Sequence, residues 1–221
     1  MQQRLYPKVI KRLVDVVLSA LALIVLSPLY LLLALAIKID SKGPVLFKQK
    51  RIGKDKTFFW ILKFRTMYAD TPSDVPTHLL DNPKDRITRV GKFLRFTSLD
   101  ELPQIANILV GQMSIIGPRP ALWNQDDLVA ERDKYNANAL VPGLTGYAQI
   151  HGRDELPIPE KARLDGYYAE HIGFLMDVKI FFGTLLSVFK GSGVVEGRQN
   201  DSGHQTEKKR QKNDSETHHD L

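Results

Sequence analysis

The sequence predicts an α/β protein, mostly helical with a small β-hairpin, joined to a membrane-embedded helix near its N-terminus. One long apolar run, from Leu13 to Ile37, has Ser27-Pro28 at its centre. Two short hydrophobic segments that read as strands follow it, and later segments read as helices. At 221 residues the chain has room for one domain and an anchor. We divide it into a basic N-terminus with the membrane helix (1–40), a domain (41–195) and a charged tail (196–221).

The apolar run is long enough to cross a bilayer, which needs about 20 residues. Basic residues flank both ends: Arg4, Lys8, Lys11 and Arg12 before it, and Lys38, Lys42 and Lys48 after it. Because basic flanks mark the cytoplasmic side, a straight span would leave one flank on the wrong side. Pro28 bends or breaks a helix, so we expect the run to turn at Ser27-Pro28 and leave on the side it entered. The Ser27 hydroxyl would then bond a carbonyl freed by the break. An ordinary kinked span is the alternative.

An ionisable residue lies in the first turn of the run. Asp15 needs a partner there, because charges inside a membrane segment are costly. Lys11 and Arg12 lie four and three residues earlier, on the same face of a helix. We therefore predict that they pair with Asp15 at the membrane interface.

Charge is distributed unevenly along the chain. There are 31 basic and 25 acidic residues, a net charge of +6. The tail from Glu196 has five basic and six acidic residues and almost no apolar ones, so we expect it to be disordered. Nine cations between Lys38 and Arg65 face only Asp40 and Asp55. Such a patch suits anionic headgroups, phosphorylated lipids or a nucleotide diphosphate, or is simply a solvated face. The absence of cysteine excludes disulfides, thiolate metal sites and a cysteine nucleophile.

The remaining elements follow from local patterns. Val45-Leu46-Phe47 and Phe58 to Leu62 are predicted as the two hairpin strands. Helices are predicted at Ile87 to Phe96, Asp100 to Val110, Leu122 to Tyr135, Leu164 to Ile172 and Phe174 to Phe189. Thr71 to Pro83 is predicted as a loop, Gly117 to Pro120 as a stiff loop, and Pro142 to Gly146 as a turn. The last helix is short for a membrane span, so we expect it on the bilayer surface or in the core.

The segment Ser98-Leu99-Asp100-Glu101-Leu102-Pro103-Gln104 is the most plausible site of chemistry. Its adjacent carboxylates also fit a capping box, in which Ser98 would start a helix. A helix started by Asp100 instead places Pro103 in the first turn, where its missing donor costs nothing. We therefore predict that the helix begins at Asp100. The residues alone leave a purely structural cap open.

Several motifs occur together and in order. They are Lys11-Arg12-Leu-Val-Asp15, Ser27-Pro28, Gly43-Pro44-Val, Lys63-Phe64-Arg65-Thr66-Met67, the Ser98–Gln104 segment, Met113-Ser-Ile-Ile-Gly117-Pro-Arg-Pro120, Pro142-Gly143-Leu-Thr-Gly146 and Gln149-Ile-His-Gly152-Arg153. Over residues 8–195 the chain closely resembles the bacterial sugar transferases, the small monotopic polyprenyl-phosphate phosphoglycosyl transferases, in their minimal form.

The resemblance implies a fold, a reaction and a location. The fold is a re-entrant membrane helix with a cytosolic catalytic domain and interfacial amphipathic helices, on the cytoplasmic face of the bacterial inner membrane. The reaction transfers a sugar 1-phosphate from a UDP-sugar to undecaprenyl phosphate with Mg²⁺, releases UMP, and begins glycoconjugate assembly. Membrane lipids are expected partners, a homodimer is compatible with the resemblance, and no nucleic-acid partner is expected. The residues do not identify the sugar, although minimal members favour N-acetylated hexosamines.

The resemblance also assigns residues. Asp100 matches the nucleophile, which would carry the sugar phosphate covalently and hold Mg²⁺, and Glu101 matches the second member of the dyad. Substrate-binding candidates are Arg119, Lys63, Arg65 and Arg95 for the phosphates, and Gln149 and Arg153, with His151 less specific, for uridine or sugar. A helix beginning at Asp100 would also direct amides at the phosphate.

Two other functions fit parts of the sequence. A metal-dependent phosphatase or hydrolase could use Asp100 on lipid diphosphates and would release its product into water. A membrane-tethered basic module could bind anionic lipid or nucleic acid, and would need the cationic patch but not the carboxylates.

Overall fold

A computed structural model describes residues 6–72, 85–152 and 156–189. The charged tail, Arg153, Arg4 and most of the predicted loop from Thr71 to Pro83 lie outside the described residues. The helices are α1 (Lys11–Val25), α2 (Ser27–Asp40), α3 (Arg89–Thr97), α4 (Gln104–Val110), α5 (Asp126–Asp133), α6 (Tyr147–Ile150), α7 (Ile158–Glu170) and α8 (Phe174–Phe189). The strands are β1 (Leu46–Ile52), β2 (Phe58–Phe64), β3 (Ser114–Ile116) and β4 (Gly143–Thr145).

Helices α1 and α2 form a bent pair. The bend between them is 60°, and Pro28 lies in the first turn of α2. The Ser27 hydroxyl donates to the Ile24 carbonyl at 2.8 Å, as expected for a group that satisfies the break. Within the described ranges no single helix is long and apolar enough to cross a membrane, whereas the bent pair together has the length and composition.

The predicted hairpin is confirmed and is longer than expected. Strands β1 and β2 pair antiparallel, with Lys50 opposite Trp60. Phe59 and Ile61 point into the core, where they pack with Ile108 of α4. The side chain of Asn107, also on α4, accepts from the Leu62 amide at 3.0 Å and donates to the Trp60 carbonyl at 2.8 Å. It therefore bonds the edge of β2 as a neighbouring strand would, and fixes α4 against the hairpin.

The segment with the two carboxylates differs from the prediction. Helix α4 begins at Gln104, and Asp100 lies in the middle of a 3₁₀ turn, Leu99–Glu101, so the expected helix start at Asp100 is wrong. Ser98 is left-handed (φ 57°) and its side chain makes no cap hydrogen bond. Leu99 and Leu102 both pack on the core cluster of Leu33, Ile37, Phe64 and Leu94. A 3₁₀ helix has three residues per turn, so Leu99 and Leu102, which are three residues apart, lie on the same side of the turn.

The predicted turn from Pro142 to Gly146 is a strand. β4 pairs parallel with β3, Ser114 opposite Gly143. A Cβ at Gly143 would lie 2.1 Å from the Gly117 nitrogen, and one at Gly146 would lie 2.1 Å from the Gly117 oxygen. These glycines are thus required by close backbone approach and not by a turn, which the sequence pattern does not distinguish.

The predicted pairing of Lys11 and Arg12 with Asp15 is also wrong. The Lys11 ammonium bonds Asp177 of α8 at 2.6 Å. The Arg12 guanidinium donates to the Ile108 and Leu109 carbonyls, and Asp15 accepts from the Ile115 amide at 3.0 Å. The charged residues of α1 therefore bond α8, the last turn of α4 and β3, and not one another.

The remaining helices match the predictions to differing degrees. Helix α5 is shorter than predicted, α7 begins earlier, with Pro159 in its first turn, and α8 has the predicted bounds. Ile180 of α8 is buried, whereas Phe174, Leu175 and Phe182 are exposed. The Phe174 ring contacts the Tyr6 ring edge-on, at 6.2 Å between centroids, and Leu175 and Phe182 leave apolar surface of α8 exposed.

Candidate active site

Four charged side chains meet where three segments converge. Lys63 comes from the end of β2, Asp100 and Glu101 from the 3₁₀ turn, and Arg119 from the loop after β3. All four are predicted site residues, and the structure brings them together. The loop with Arg119 is held against β4, because the Gly143 amide donates to the Pro118 carbonyl at 2.9 Å.

Glu101 is the centre of the cluster. Its Oε1 atom accepts from Lys63 Nζ at 2.7 Å and from Arg119 Nη2 at 2.9 Å. Burial raises the pKa of Glu101, but the charges and hydrogen bonds of Arg119 and Lys63 outweigh burial and hold the pKa well below its usual range. Glu101 is therefore ionised, and it fixes two cations beside Asp100.

Asp100 has a different environment from its neighbour. Its carboxylate lies 3.9 Å from Lys63 Nζ, and its side chain is 14% exposed. Burial raises the pKa of Asp100 more than the charge of Lys63 lowers it, and the negative charge of Glu101 raises it further. Two adjacent carboxylates whose pKa values are pushed in opposite directions can divide their roles. Glu101 holds the cations, and Asp100 is the candidate nucleophile.

Helix α2 contacts the site directly, through residues that no local sequence pattern predicts to lie there. The Tyr30 hydroxyl of α2 donates to the carbonyl of Leu102, the residue after Glu101, at 2.5 Å. The Tyr30 ring also packs on Phe64, next to Lys63, with 5.4 Å between ring centroids. Helix α2 therefore packs on both the dyad turn, which is the 3₁₀ turn with Asp100 and Glu101, and the end of β2 that carries Lys63.

The other predicted phosphate ligands lie in different surroundings. Arg65 is buried, and its guanidinium donates to the Ser41 carbonyl at 2.7 Å and to the Lys42 carbonyl. It thus closes the C-terminal end of α2, and we assign it a structural role. The Arg95 Nε donates to the Thr66 hydroxyl at 2.9 Å, and its charge lowers the pKa of Asp100. Arg95 therefore acts electrostatically on the site.

The predicted uridine or sugar ligands are only partly described. Gln149 lies on α6, and both polar atoms of its side chain are buried without a partner among the described residues. A buried amide without a partner is costly, so Gln149 stays a candidate for contact with a ligand. His151 is exposed, and its ring packs at a tilt of 44° against Tyr147, with 4.2 Å between centroids.

The donor groups at the site fit one kind of metal ion. The described residues contain no group of three or more histidine and carboxylate side chains that could hold a metal. Mg²⁺ is commonly bound by one or two carboxylates together with substrate phosphates and waters. Asp100 suits such a shared site, whereas Glu101 already bonds two cations, Lys63 and Arg119.

Comparisons with known proteins agree on one family. The sequence model described as "Bacterial sugar transferase" matches residues 6–191. The chain is 42% identical to the exopolysaccharide production protein PSS of Rhizobium leguminosarum bv. phaseoli, over 84% of this chain and 98% of that protein. It is also 42% identical to the UDP-glucose:undecaprenyl-phosphate glucose-1-phosphate transferase of Klebsiella pneumoniae, over 83% of this chain and 40% of that protein.

A further relative is named for another sugar. The chain is 39% identical to the UDP-N-acetylgalactosamine-undecaprenyl-phosphate N-acetylgalactosaminephosphotransferase of Aeromonas hydrophila, over 83% of this chain and 44% of that protein. The chain thus spans nearly all of the rhizobial protein and less than half of the other two.

The opposite pKa directions of the two carboxylates predict opposite effects on stability. Glu101→Gln should lower the free energy of unfolding at neutral pH by about 1–3 kcal/mol, because Lys63 and Arg119 lose their shared acceptor. A lowered folded-state pKa stabilises the fold above the unfolded pKa, so this difference should vanish as pH falls through the acid range. Asp100→Asn should leave the unfolding temperature unchanged or raise it, because a raised folded-state pKa makes ionised Asp100 destabilising at neutral pH.

Thermal unfolding in detergent from pH 2 to 8 would measure both effects, with the Glu101 difference constant above the ordinary glutamate pKa and lost only below it. Asp70→Asn is the matched control, since Asp70 forms an exposed pair with Arg86 and should change stability by less than about 1 kcal/mol. A loss of stability in Asp100→Asn as large as that in Glu101→Gln would contradict the assignment of roles.

Proposed function

The chain belongs to the bacterial sugar transferase family, and from this premise we propose that it transfers a sugar 1-phosphate from a UDP-sugar to undecaprenyl phosphate. The observation that carries the proposal is the cluster of Asp100, Glu101, Lys63 and Arg119. The printed names of the relatives support the donor and acceptor classes. Because relatives named for glucose and for N-acetylgalactosamine are similarly identical, overall identity does not select the sugar.

The transfer proceeds in two displacements at one phosphorus atom. In the first, an Asp100 carboxylate oxygen attacks the phosphorus that bears the sugar, and the bond from that phosphorus to the bridging oxygen breaks. The electron pair leaves with UMP, and an aspartyl phosphosugar remains. In the second, a phosphate oxygen of the lipid attacks the same phosphorus and displaces the Asp100 carboxylate. No net proton transfer is needed.

The cluster suits this chemistry because the attack brings two anions together. The Arg119 side chain is 37% exposed, so its guanidinium can reach a phosphate while it bonds Glu101. Lys63 lies between the two carboxylates and offsets their repulsion. Mg²⁺ bound at Asp100 would neutralise charge on the diphosphate. The raised pKa of Asp100 indicates a more basic carboxylate, and the low pKa of Glu101 keeps Lys63 and Arg119 in place at neutral pH.

We further propose that α1 and α2 form a re-entrant anchor on the cytoplasmic face of the inner membrane. The 60° bend and the basic residues on both flanks support this topology. The hydrogen bond from Tyr30 would then hold the 3₁₀ turn with Asp100 and Glu101 at a fixed depth relative to the membrane. The site would lie at the headgroup level, where the phosphate of the lipid acceptor lies. The product would be the lipid-linked sugar of a polysaccharide or other glycoconjugate.

The two-step reaction predicts exchange without the acceptor. Labelled UMP should enter the UDP-sugar in the absence of undecaprenyl phosphate, because the first displacement is reversible and complete by itself. Asp100→Asn and Glu101→Gln should each lower this exchange and overall UMP release by at least about 10³-fold, as expected for loss of a nucleophile or its support.

A panel of UDP-sugars would be assayed by UMP release and by extraction of the lipid product. Lys134→Gln, which removes an exposed pair with Glu131, is the control and should keep parental rates. Exchange that requires the lipid would refute the covalent step, and water-soluble sugar phosphate as the product would indicate a hydrolase instead.

The topology predicts labelling from one side. The chain has no cysteine, so Arg4→Cys and Lys42→Cys each provide a single thiol. In inverted vesicles, both should react with a membrane-impermeant maleimide, because the anchor returns to the face that it entered. Pro28→Ala should straighten the helix pair and move one thiol to the opposite face. If the two thiols react from opposite faces while Pro28 is retained, the helix pair spans the membrane.

A further inference from the structure

The loop that carries Arg119 is held at each of four successive carbonyls. Pro118 and Ala121 accept from the amides of Gly143 and Ile52, at 2.9 and 3.0 Å. The other two accept from arginine side chains: Arg119 from Arg132 Nη2 at 3.0 Å, and Pro120 from Arg51 Nη1 at 3.1 Å. The backbone carbonyl of Arg119 is therefore held by the side chain of a second arginine, Arg132.

Arg132 is oriented by a buried carboxylate. It lies on α5, and its Nε and Nη2 atoms donate to Oδ2 of Asp165 on α7 at 2.8 and 2.6 Å. The side chains of Arg132 and Asp165 are only 5% and 1% exposed. The neighbouring Gly166 brings α7 against Tyr135, where a Cβ would lie 2.3 Å from the tyrosine Cβ. Both helices thus pack closely around the pair.

A contribution to stability does not by itself explain why Arg132 and Asp165 are buried as an ion pair. Burying two charges costs desolvation, and apolar residues of similar volume often hold two elements together equally well. An apolar pair, however, could not donate to the Arg119 carbonyl. The planar fork of arginine can reach Asp165 and that carbonyl together, which a lysine ammonium does less well.

We propose that Arg132, oriented by Asp165, is a positioning residue that fixes the Arg119 backbone and so directs the Arg119 guanidinium onto Glu101 and the phosphate. This inference rests on the proposed function. Neither Arg132 nor Asp165 contacts the reacting atoms. Their effect is carried by Arg119, whose displacement by about 1 Å would cost up to about 10²-fold in rate.

A double-mutant cycle tests this proposal. The apolar replacement Arg132→Met with Asp165→Leu is made in the parent and in Arg119→Ala. In the parent it should lower kcat for UMP release by about 10–100-fold, change KM by less than about threefold, and leave the unfolding temperature at or above the parental value. In Arg119→Ala it should lower kcat by less than about twofold, because the group that it positions is already gone.

Two further variants complete the design. Arg163→Met on α7 removes an exposed pair with Glu160 and should keep parental kinetics. If the apolar replacement fails to fold, Arg132→Lys is tested in the same double-mutant cycle. This variant keeps the buried charge but lacks the planar guanidinium. The same result is expected of it, with a smaller loss in the parent.

Hydrogen–deuterium exchange gives a readout that does not depend on turnover. The peptide covering residues 113–122 should exchange faster in the Arg132 variants and at the parental rate in Arg163→Met. Equal losses of kcat in both backgrounds, parental kcat in the variants, or unchanged exchange would each overturn the positioning role. A parent that releases no UMP from any UDP-sugar would refute the proposed function instead, and the exchange experiment would still decide the positioning.

Discussion

The arrangement of the site depends on one carboxylate oxygen. Oε1 of Glu101 accepts from both Lys63 and Arg119, and so joins the end of β2, the 3₁₀ turn and the loop after β3. The two positive charges offset the negative charge of Glu101 and leave a net positive charge beside Asp100. Asp100 is thus placed where an anionic phosphate can approach a buried carboxylate. Without Glu101, Lys63 would be free to pair with Asp100, the proposed nucleophile.

Helices α1 and α2 and the charged cluster at Glu101 belong to one packed unit. Leu33 and Ile37 of α2 form a core cluster with Phe64 and Leu94, on which Leu99 and Leu102 of the dyad turn pack. Tyr30 bonds the same turn, and Asp15 and Lys11 of α1 bond β3 and α8. Because these contacts are buried or partly buried, a displacement of α1 or α2 would also displace the residues of the site. The geometry suits a substrate phosphate presented at a surface.

Local patterns predicted much of the fold, but not the long-range contacts that build the site. The hairpin and α8 were confirmed because their periodicity and apolar content are local. The 3₁₀ turn at Asp100 was missed because it depends on Leu99 and Leu102 packing against α2, far away in sequence. Gly143 was mistaken for a turn residue, since its close approach to Gly117 leaves no signal in the sequence. Arg65 resembles a phosphate ligand by type, yet it closes the end of α2.

In the proposed reaction, Asp100 carries the sugar phosphate in covalent linkage. The most direct measurement is mass spectrometry of the protein quenched in acid after mixing with a UDP-sugar and no lipid acceptor. We expect a mass increase of one sugar phosphate on the peptide that contains Asp100. Addition of undecaprenyl phosphate should remove it. A peptide that stays unmodified while UMP is released, or a modification at another residue, would refute the covalent role of Asp100.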